Sequence, residues 1–140
     1  TGFLPRETVT EFYKIAYIGI SPSIYDHCPY SVLEMMANKI PLIMTRINGL
    51  DELLSDEECI FINPHISSEG DITFSIEEMT DSILSLAADK ERRTRLATKS
   101  YETYVKRFTA AGMAEAMHKL FYSLIKYKKP EEEYETGQGR

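Results

Sequence analysis

The chain is constrained most by one stretch in which a short apolar run ends at a turn and continues as a helix. Tyr17-Ile18-Gly19-Ile20 reads as a buried strand. Ser21-Pro22-Ser23 stops it. A polar loop follows and carries Asp26 and His27. Pro29 suits the first position of a helix, since its φ is fixed and it has no N–H to leave unpaired. Val32, Leu33, Met35 and Met36 then supply an apolar helix face. Strand, loop and helix N-terminus in this order is how open α/β sheets hold anionic ligands. The amides of Tyr30, Ser31 and Val32 become first-turn donors without intrahelical acceptors, open to a phosphate or to water.

The same alternation continues along the chain. Residues 8–16 read as a short helix, with Thr8 and Glu11 as a capping box and Val9, Phe12 and Ile15 on one side. Asn38 is expected to close the helix of the loop–helix segment 24–38 in the left-handed conformation. Pro41-Leu42-Ile43-Met44-Thr45 is a second strand, continuously apolar as a sheet covered on both faces requires. Arg46 to Gly49 forms a turn, Leu50 to Ser55 a short helix, and Cys59 to Ile62 a third strand stopped by Asn63-Pro64. Strand, helix, strand, helix, strand implies parallel pairing through right-handed crossovers, an α/β Rossmann-like sheet with flanking helices.

Residues 65–74 read as polar loop. Ser75 with Glu78 opens a helix with apolar positions Ile76, Met79, Ile83, Leu84 and Leu86. Asp89 caps a mostly charged, solvated helix reaching about Arg107, packed on the sheet with its C-terminal neighbours. Thr109 caps the last helix. Its stripe of Met113, Met117, Leu120, Phe121, Leu124 and Ile125 needs a partner surface. The domain is expected to span 1–127, with 128–140 a disordered tail.

Composition excludes several classes. The net charge is −6, from 22 acidic and 16 basic residues, which argues against a nucleic-acid partner held by bulk charge. No apolar run approaches the ~20 residues of a membrane-spanning helix, and no leading stretch reads as a signal peptide. Cys28 and Cys59 are too few for a disulfide framework and fit a reducing, cytoplasmic setting. His65 and His118 lack metal spacing, and Asp56-Glu57-Glu58 lacks the spaced ligands of a calcium loop. Lys90-Glu91-Arg92-Arg93 reads as a helix face. The first residue is not Met, and the chain reads as a piece of a larger protein.

Asp26, seven residues and then Glu34 resembles the Glu-seven-residues-Glu motif of retaining glycosyltransferases with the GT-B fold, the glycosyl transferases group 1 family. Thr1-Gly2-Phe3-Leu4-Pro5-Arg6-Glu7 resembles the segment leading into the preceding helix, and Phe12-Tyr13-Lys14-Ile15-Ala16 its end. Pro41 to Thr45, Gly49 and Glu52 resemble the following strand and donor-side loop. The resemblance covers roughly residues 1–125 and implies the second half of the C-terminal, donor-binding domain. It implies a sugar moved from a nucleotide-sugar to an acceptor glycan, lipid or other molecule, without a metal or other cofactor. The acceptor would be held by an N-terminal domain outside this chain, and any membrane-surface association would come through that domain. The chain alone would then be inactive, with an unpaired sheet edge beside residues 17–21 at which copies self-associate.

By the same resemblance Glu34 accepts the ribose hydroxyls, with an ordinary exposed helix Glu as the alternative. Asp26, one methylene shorter than the family's Glu, is the catalytic candidate beside the transferred sugar, where a carboxylate stabilises positive charge growing at the anomeric carbon. Its alternative is an Asx turn. Tyr30, Ser31 and Val32 hold the diphosphate. Gly49 either permits close approach of its loop to the donor or only makes a turn. Glu52 caps or braces a neighbouring helix, and Cys28 is pocket wall. Two rival functions stand beside this reading: a nucleotide-sugar epimerase of the same fold, and a non-catalytic α/β interaction domain.

Overall fold

The run Leu42–Thr45 is buried along its whole length, and the surrounding elements assemble on both of its faces. A computed structural model describes residues 2–47 and 49–127. In chain order the elements are α1 (Arg6–Ile15), β1 (Gly19–Ser21), α2 (Tyr30–Ala37), β2 (Leu42–Thr45), β3 (Ile60–Ile62), β4 (Pro64–Ile66), β5 (Ile72–Phe74), α3 (Ile76–Ala88), α4 (Lys90–Arg107) and α5 (Ala110–Tyr127). β1, β2 and β3 form one parallel sheet in that order, with Ile43 in register with Ile20 on one side and Ile60 on the other. Alternate side chains of a strand point to opposite faces. Leu42 and Met44 accordingly join Val32, Met35 and Met36 of α2, while Ile43 joins Ile62, Met79, Leu86 and Leu96 on the side of α3 and α4. Full burial of one such side chain contributes about 1.5–3 kcal/mol, so a two-sided strand is the natural anchor. β1 is an edge strand, and Ile20 on it is exposed.

The elements differ from the sequence reading in several places, each for a local reason. α1 starts at Arg6 behind Pro5, whose φ of −59° leads into the helix without a side-chain cap, so Thr8 lies inside the helix rather than at its start. α2 is closed by Lys39 at φ +55°, not by Asn38, whose φ is −94°. The amides of Lys39 and Ile40 return to the carbonyls of Met36 and Met35, the paired bonds of a Schellman end. The Asn38 side chain donates instead to the Glu34 carbonyl at 2.8 Å. Leu50 to Ser55 is a run of turns rather than a helix, with Leu50, Leu53 and Leu54 buried to pin the segment to the core. Residues 65–74 are not plain loop: β4 and β5 pair antiparallel across a turn with Gly70 at φ +90°. Pro64 takes the first strand position, where its missing N–H costs least.

α3 and α4 begin as expected. The Ser75 hydroxyl accepts from the Glu78 amide at 3.1 Å and the Asp89 carboxylate from the Arg92 amide at 2.8 Å. On α3, however, Met79 and Leu86 are buried while Ile76 and Leu84 are exposed. α4 is less solvated than its charge suggests. It packs on α2 and α3 and buries Leu96, Ala97 and Ser100. Arg93 donates to the carbonyls of Leu86 and Ala87 and lies 4.1 Å over the Tyr17 ring, so residues 90–93 are not simply a free face. Arg107 donates to the carbonyls of Glu52 and Leu53, so Glu52 braces α4 through its backbone. Asp56, Glu57 and Glu58 are paired rather than merely solvated, with Arg46, Lys99 and Thr103 respectively.

A second unit begins at Thr109 and contains α5. The Thr109 hydroxyl accepts from the Gly112 amide at 3.2 Å, the expected cap. The Met113, Met117, Leu120, Phe121, Leu124 and Ile125 side chains are all exposed. The tail expected at 128–140 lies outside the described residues. No helix among the described residues is long and apolar enough to cross a membrane. Both cysteines are free; burial first, then the charges of Asp56 and Glu58, pushes the Cys59 thiol up to about 12.

Burial pulls the Glu58 carboxyl upward, but hydrogen bonds from Thr103 and Ser55, with the Arg107 charge, outweigh it and hold it below its ordinary value. A depressed folded pKa gives stability that is present above the unfolded value and lost as pH falls through the folded one. Thr103→Val is therefore expected to lose less stability than the parent chain between neutral pH and about pH 3. Urea titrations at both pH values measure this, and equal losses would contradict the assignment.

Candidate functional site

The site is built where β1 hands the chain to α2. Ser21 and Thr45 are buried polar residues at the carboxyl ends of β1 and β2. The Thr45 hydroxyl donates to the Ser23 carbonyl and fastens the start of the loop to the neighbouring strand. Further on, Asp26 Oδ1 accepts from the Cys28 amide at 3.2 Å, which is an Asx turn. That turn commits one carboxylate oxygen to the loop.

Gly49 packs on this loop from the β2 side. Its φ is +95°, and a Cβ there would lie 2.9 Å from His27 Cα and 3.0 Å from the His27 carbonyl oxygen. The close approach that needs a glycine is therefore to the Asp26–His27 backbone. Cys28 is exposed and is not among the residues lining the two cavities described below.

Pro29 is the N-cap of α2, with φ −66° and ψ 121°, one position before the one expected. The first turn is tight, and this decides which amides are open. The Pro29 carbonyl accepts from Val32 at 3.0 Å and from Leu33 at 3.4 Å. The Val32 amide is thus satisfied within the helix, and its side chain is core; it is not the free donor expected. Among the described residues, the amides of Tyr30 and Ser31 have no acceptor. They carry the positive end of the helix dipole and can receive an anion.

Glu34 lies a turn further along α2. Tyr13 Oη donates to Glu34 Oε2 at 2.9 Å, and Arg6 reaches Oε1 at 3.5 Å. The carboxylate borders a groove of about 410 Å³ between α1, α2 and the end of α4, lined also by Tyr30, Leu33, Tyr104 and Phe108. Burial, then the hydrogen bond to Glu34 and its charge, raises the Tyr13 phenol above its ordinary value, with Arg6 opposing. Arg6 is 84% exposed, so its bridge contributes about 0–1 kcal/mol.

Asp26 faces elsewhere. It borders a second cavity of about 330 Å³ between the β1–α2 loop and the β4–β5 hairpin, with Tyr25, His27, Arg46, Ile66 and Ile72. Arg46 there is already engaged by Asp56 and Asn63 and lies 4.2 Å over the Phe61 ring. The two carboxylates thus open onto separate cavities that share no lining residue. Among the described residues no three His, Cys, Asp or Glu side chains gather as metal ligands. Sequence reasoning missed Arg6 and Tyr13. Their spacing of seven, two turns of α1 and hence one face, was the available signal.

Comparison with known proteins gives a consistent set of likenesses. A family model for glycosyl transferases group 1 matches residues 1–103. A Bacillus subtilis protein named as a teichuronic acid biosynthesis glycosyltransferase is 24% identical over 126 residues, 90% of this chain and 30% of its own. An alpha-D-kanosaminyltransferase of Streptomyces kanamyceticus is 28% identical over 97 residues, 69% of this chain and 23% of its own. This chain therefore spans less than a third of those relatives. Among solved structures, sucrose-phosphate synthase from Thermosynechococcus elongatus superposes with a TM-score of 0.74 at 21% identity, covering 91% of this chain and 30% of that one. The C-terminal domain of a glycosyl transferase group 1 family protein from Francisella tularensis gives 0.64 at 20% identity, over 79% of this chain and 53% of that one. At these identities the structural likeness speaks to the fold.

Gly49→Ala tests the loop packing. It should cost roughly 1–3 kcal/mol, because the left-handed φ and the His27 contact both resist a Cβ. Chemical denaturation gives the cost, and amide NMR shifts at Asp26 and His27 should move with it. Unchanged stability and unchanged shifts would contradict the packing.

Proposed function

This chain belongs to the glycosyl transferases group 1 family, and from that membership we propose that it is the nucleotide-sugar-binding part of a retaining glycosyltransferase. The observation that carries the proposal is the composition of α2: open amides at Tyr30 and Ser31, and one turn on the Glu34 carboxylate beside a groove. The amides receive the diphosphate, and Glu34 accepts the ribose hydroxyls. Val32 supports them by fixing α2 in the core. Gly49 acts indirectly, by letting its loop press on the Asp26–His27 backbone.

The transferred sugar then lies toward Asp26 and the hairpin cavity. The bond between the anomeric carbon and the diphosphate oxygen breaks, the nucleotide leaves with the electron pair, and the acceptor oxygen takes its place with the same anomeric configuration. Positive charge grows on the anomeric carbon as that bond lengthens, and Asp26, with one oxygen left over from its Asx turn, is the carboxylate we assign to stabilising it. Negative charge on the leaving diphosphate is met by helix-terminus amides, so the reaction runs without a metal. The acceptor is a glycan, lipid or other hydroxyl compound, held by protein outside this chain. Two free thiols fit a cytoplasmic setting, and the β1 edge is where the isolated chain would self-associate.

A transfer assay on the full-length protein tests this reading. The product should keep the donor's anomeric configuration, and EDTA should leave the rate unchanged. Glu34→Ala should raise the donor KM about tenfold, and Asp26→Ala should lower kcat about a hundredfold. Wild-type kinetics in both variants would remove the residue assignment. An isomerised donor formed without acceptor would identify an epimerase instead.

A further inference from the structure

We propose that Tyr13 is a positioning residue for Glu34 and that Arg6 is a resident counter-ion which the ligand displaces, together setting selectivity for a ribose diol. The inference rests on the reading of Glu34 given above. Each carboxylate oxygen has room for two donors. Oε2 is held by the Tyr13 hydroxyl at 2.9 Å, a partly buried bond that links the last turn of α1 to α2. Among the described residues Oε1 has the Arg6 contact alone, at 3.5 Å from a side chain that is 84% exposed. The two partners therefore differ in kind. One is short, neutral and fixed by packing against the core; the other is long, charged and open to water.

A vicinal diol presents two O–H donors side by side and needs an acceptor for each. With both oxygens of Glu34 engaged, the diol is accommodated most easily by replacing the weaker partner. Arg6 sits on the first turn of α1 at the rim of the groove, with open solvent to move into. Tyr13 keeps its bond throughout and fixes the plane of the carboxylate, so that Oε1 and the second lone pair of Oε2 face the groove together. The raised phenol pKa means that Tyr13 stays protonated, and remains a donor, across the neutral range. Arg6 and Tyr13 lie two turns apart on one face of α1, so the helix offers one carboxylate a permanent and an exchangeable donor.

The test is a ligand-observed NMR titration of the chain with UDP, GDP and ADP, each against its 2′-deoxy counterpart, using the base that binds tightest. The deoxy compound keeps one hydroxyl and removes the second contact. The native chain should prefer the ribonucleotide about tenfold, the worth of one hydrogen bond to a charged group. Tyr13→Phe should reduce that preference to about two- to threefold, with the fold intact by circular dichroism. Arg6→Ala should keep or enlarge it. A preference unchanged in Tyr13→Phe would overturn the positioning role while leaving Glu34 as the diol acceptor. A preference lost in Arg6→Ala would overturn the displacement. Absence of any ribose preference in the native chain would defeat the Glu34 reading and this inference with it.

Discussion

The rest of the site depends on how α2 is fixed to the sheet. Val32, Met35 and Met36 are buried against Leu42 and Met44, and the Schellman end at Lys39 and Ile40 returns the chain directly into β2. The first amides of a helix have no intrahelical acceptor, and a helix held at its apolar face and at its C-terminus keeps them in one fixed direction. The positive end is thereby left facing outward at Tyr30 and Ser31, and Glu34 is held on the same rigid body. The site gains precision from a mostly apolar core in which, among the described residues, the buried polar side chains are Ser21, Thr45 and Ser100.

Charge in this region is arranged locally. The chain carries a net −6, which should repel a phosphorylated ligand at long range. At short range the nearest cations are already occupied: Arg6 by Glu34, and Arg46 by Asp56. Anion binding by this chain alone therefore falls to backbone amides, which provide direction and distance but modest strength. The chain spans under a third of the length of those relatives. Under the proposal above, Arg6 is released into solvent when Glu34 takes another partner.

The sheet and its helices were legible because continuous apolar runs such as Leu42–Met44 leave few alternatives, and because Ser75 and Asp89 are unambiguous caps. The hairpin at Pro64–Phe74 was not legible. Its strands are three residues each and are separated by Ser67-Ser68-Glu69-Gly70-Asp71, whose composition signals loop. The segment Leu50–Ser55 failed in the other direction: Leu50, Leu53 and Leu54 have helical spacing, but serve as anchors for turns. At the site, the positions of Asp26 and Glu34 were readable from their spacing and setting. That they open onto separate cavities was not, because it depends on the fold of the hairpin and on the tyrosine and arginine of α1. The one-residue shift of Pro29, from first helical residue to cap, is within the usual scatter of helix ends; Val32 is spent because the first turn tightens, its amide bonding to the Pro29 carbonyl three residues back.

The most direct measurement is a 15N-resolved amide map of the chain with a nucleoside diphosphate added to saturation. The account predicts the largest shifts at the Tyr30 and Ser31 amides, smaller ones around Glu34 and Tyr13, and little change at Val32, whose N–H is already bonded to Pro29. Shifts centred on another surface, or none at Tyr30 and Ser31 while the ligand is bound, would contradict the claim that α2 is the nucleotide-binding element.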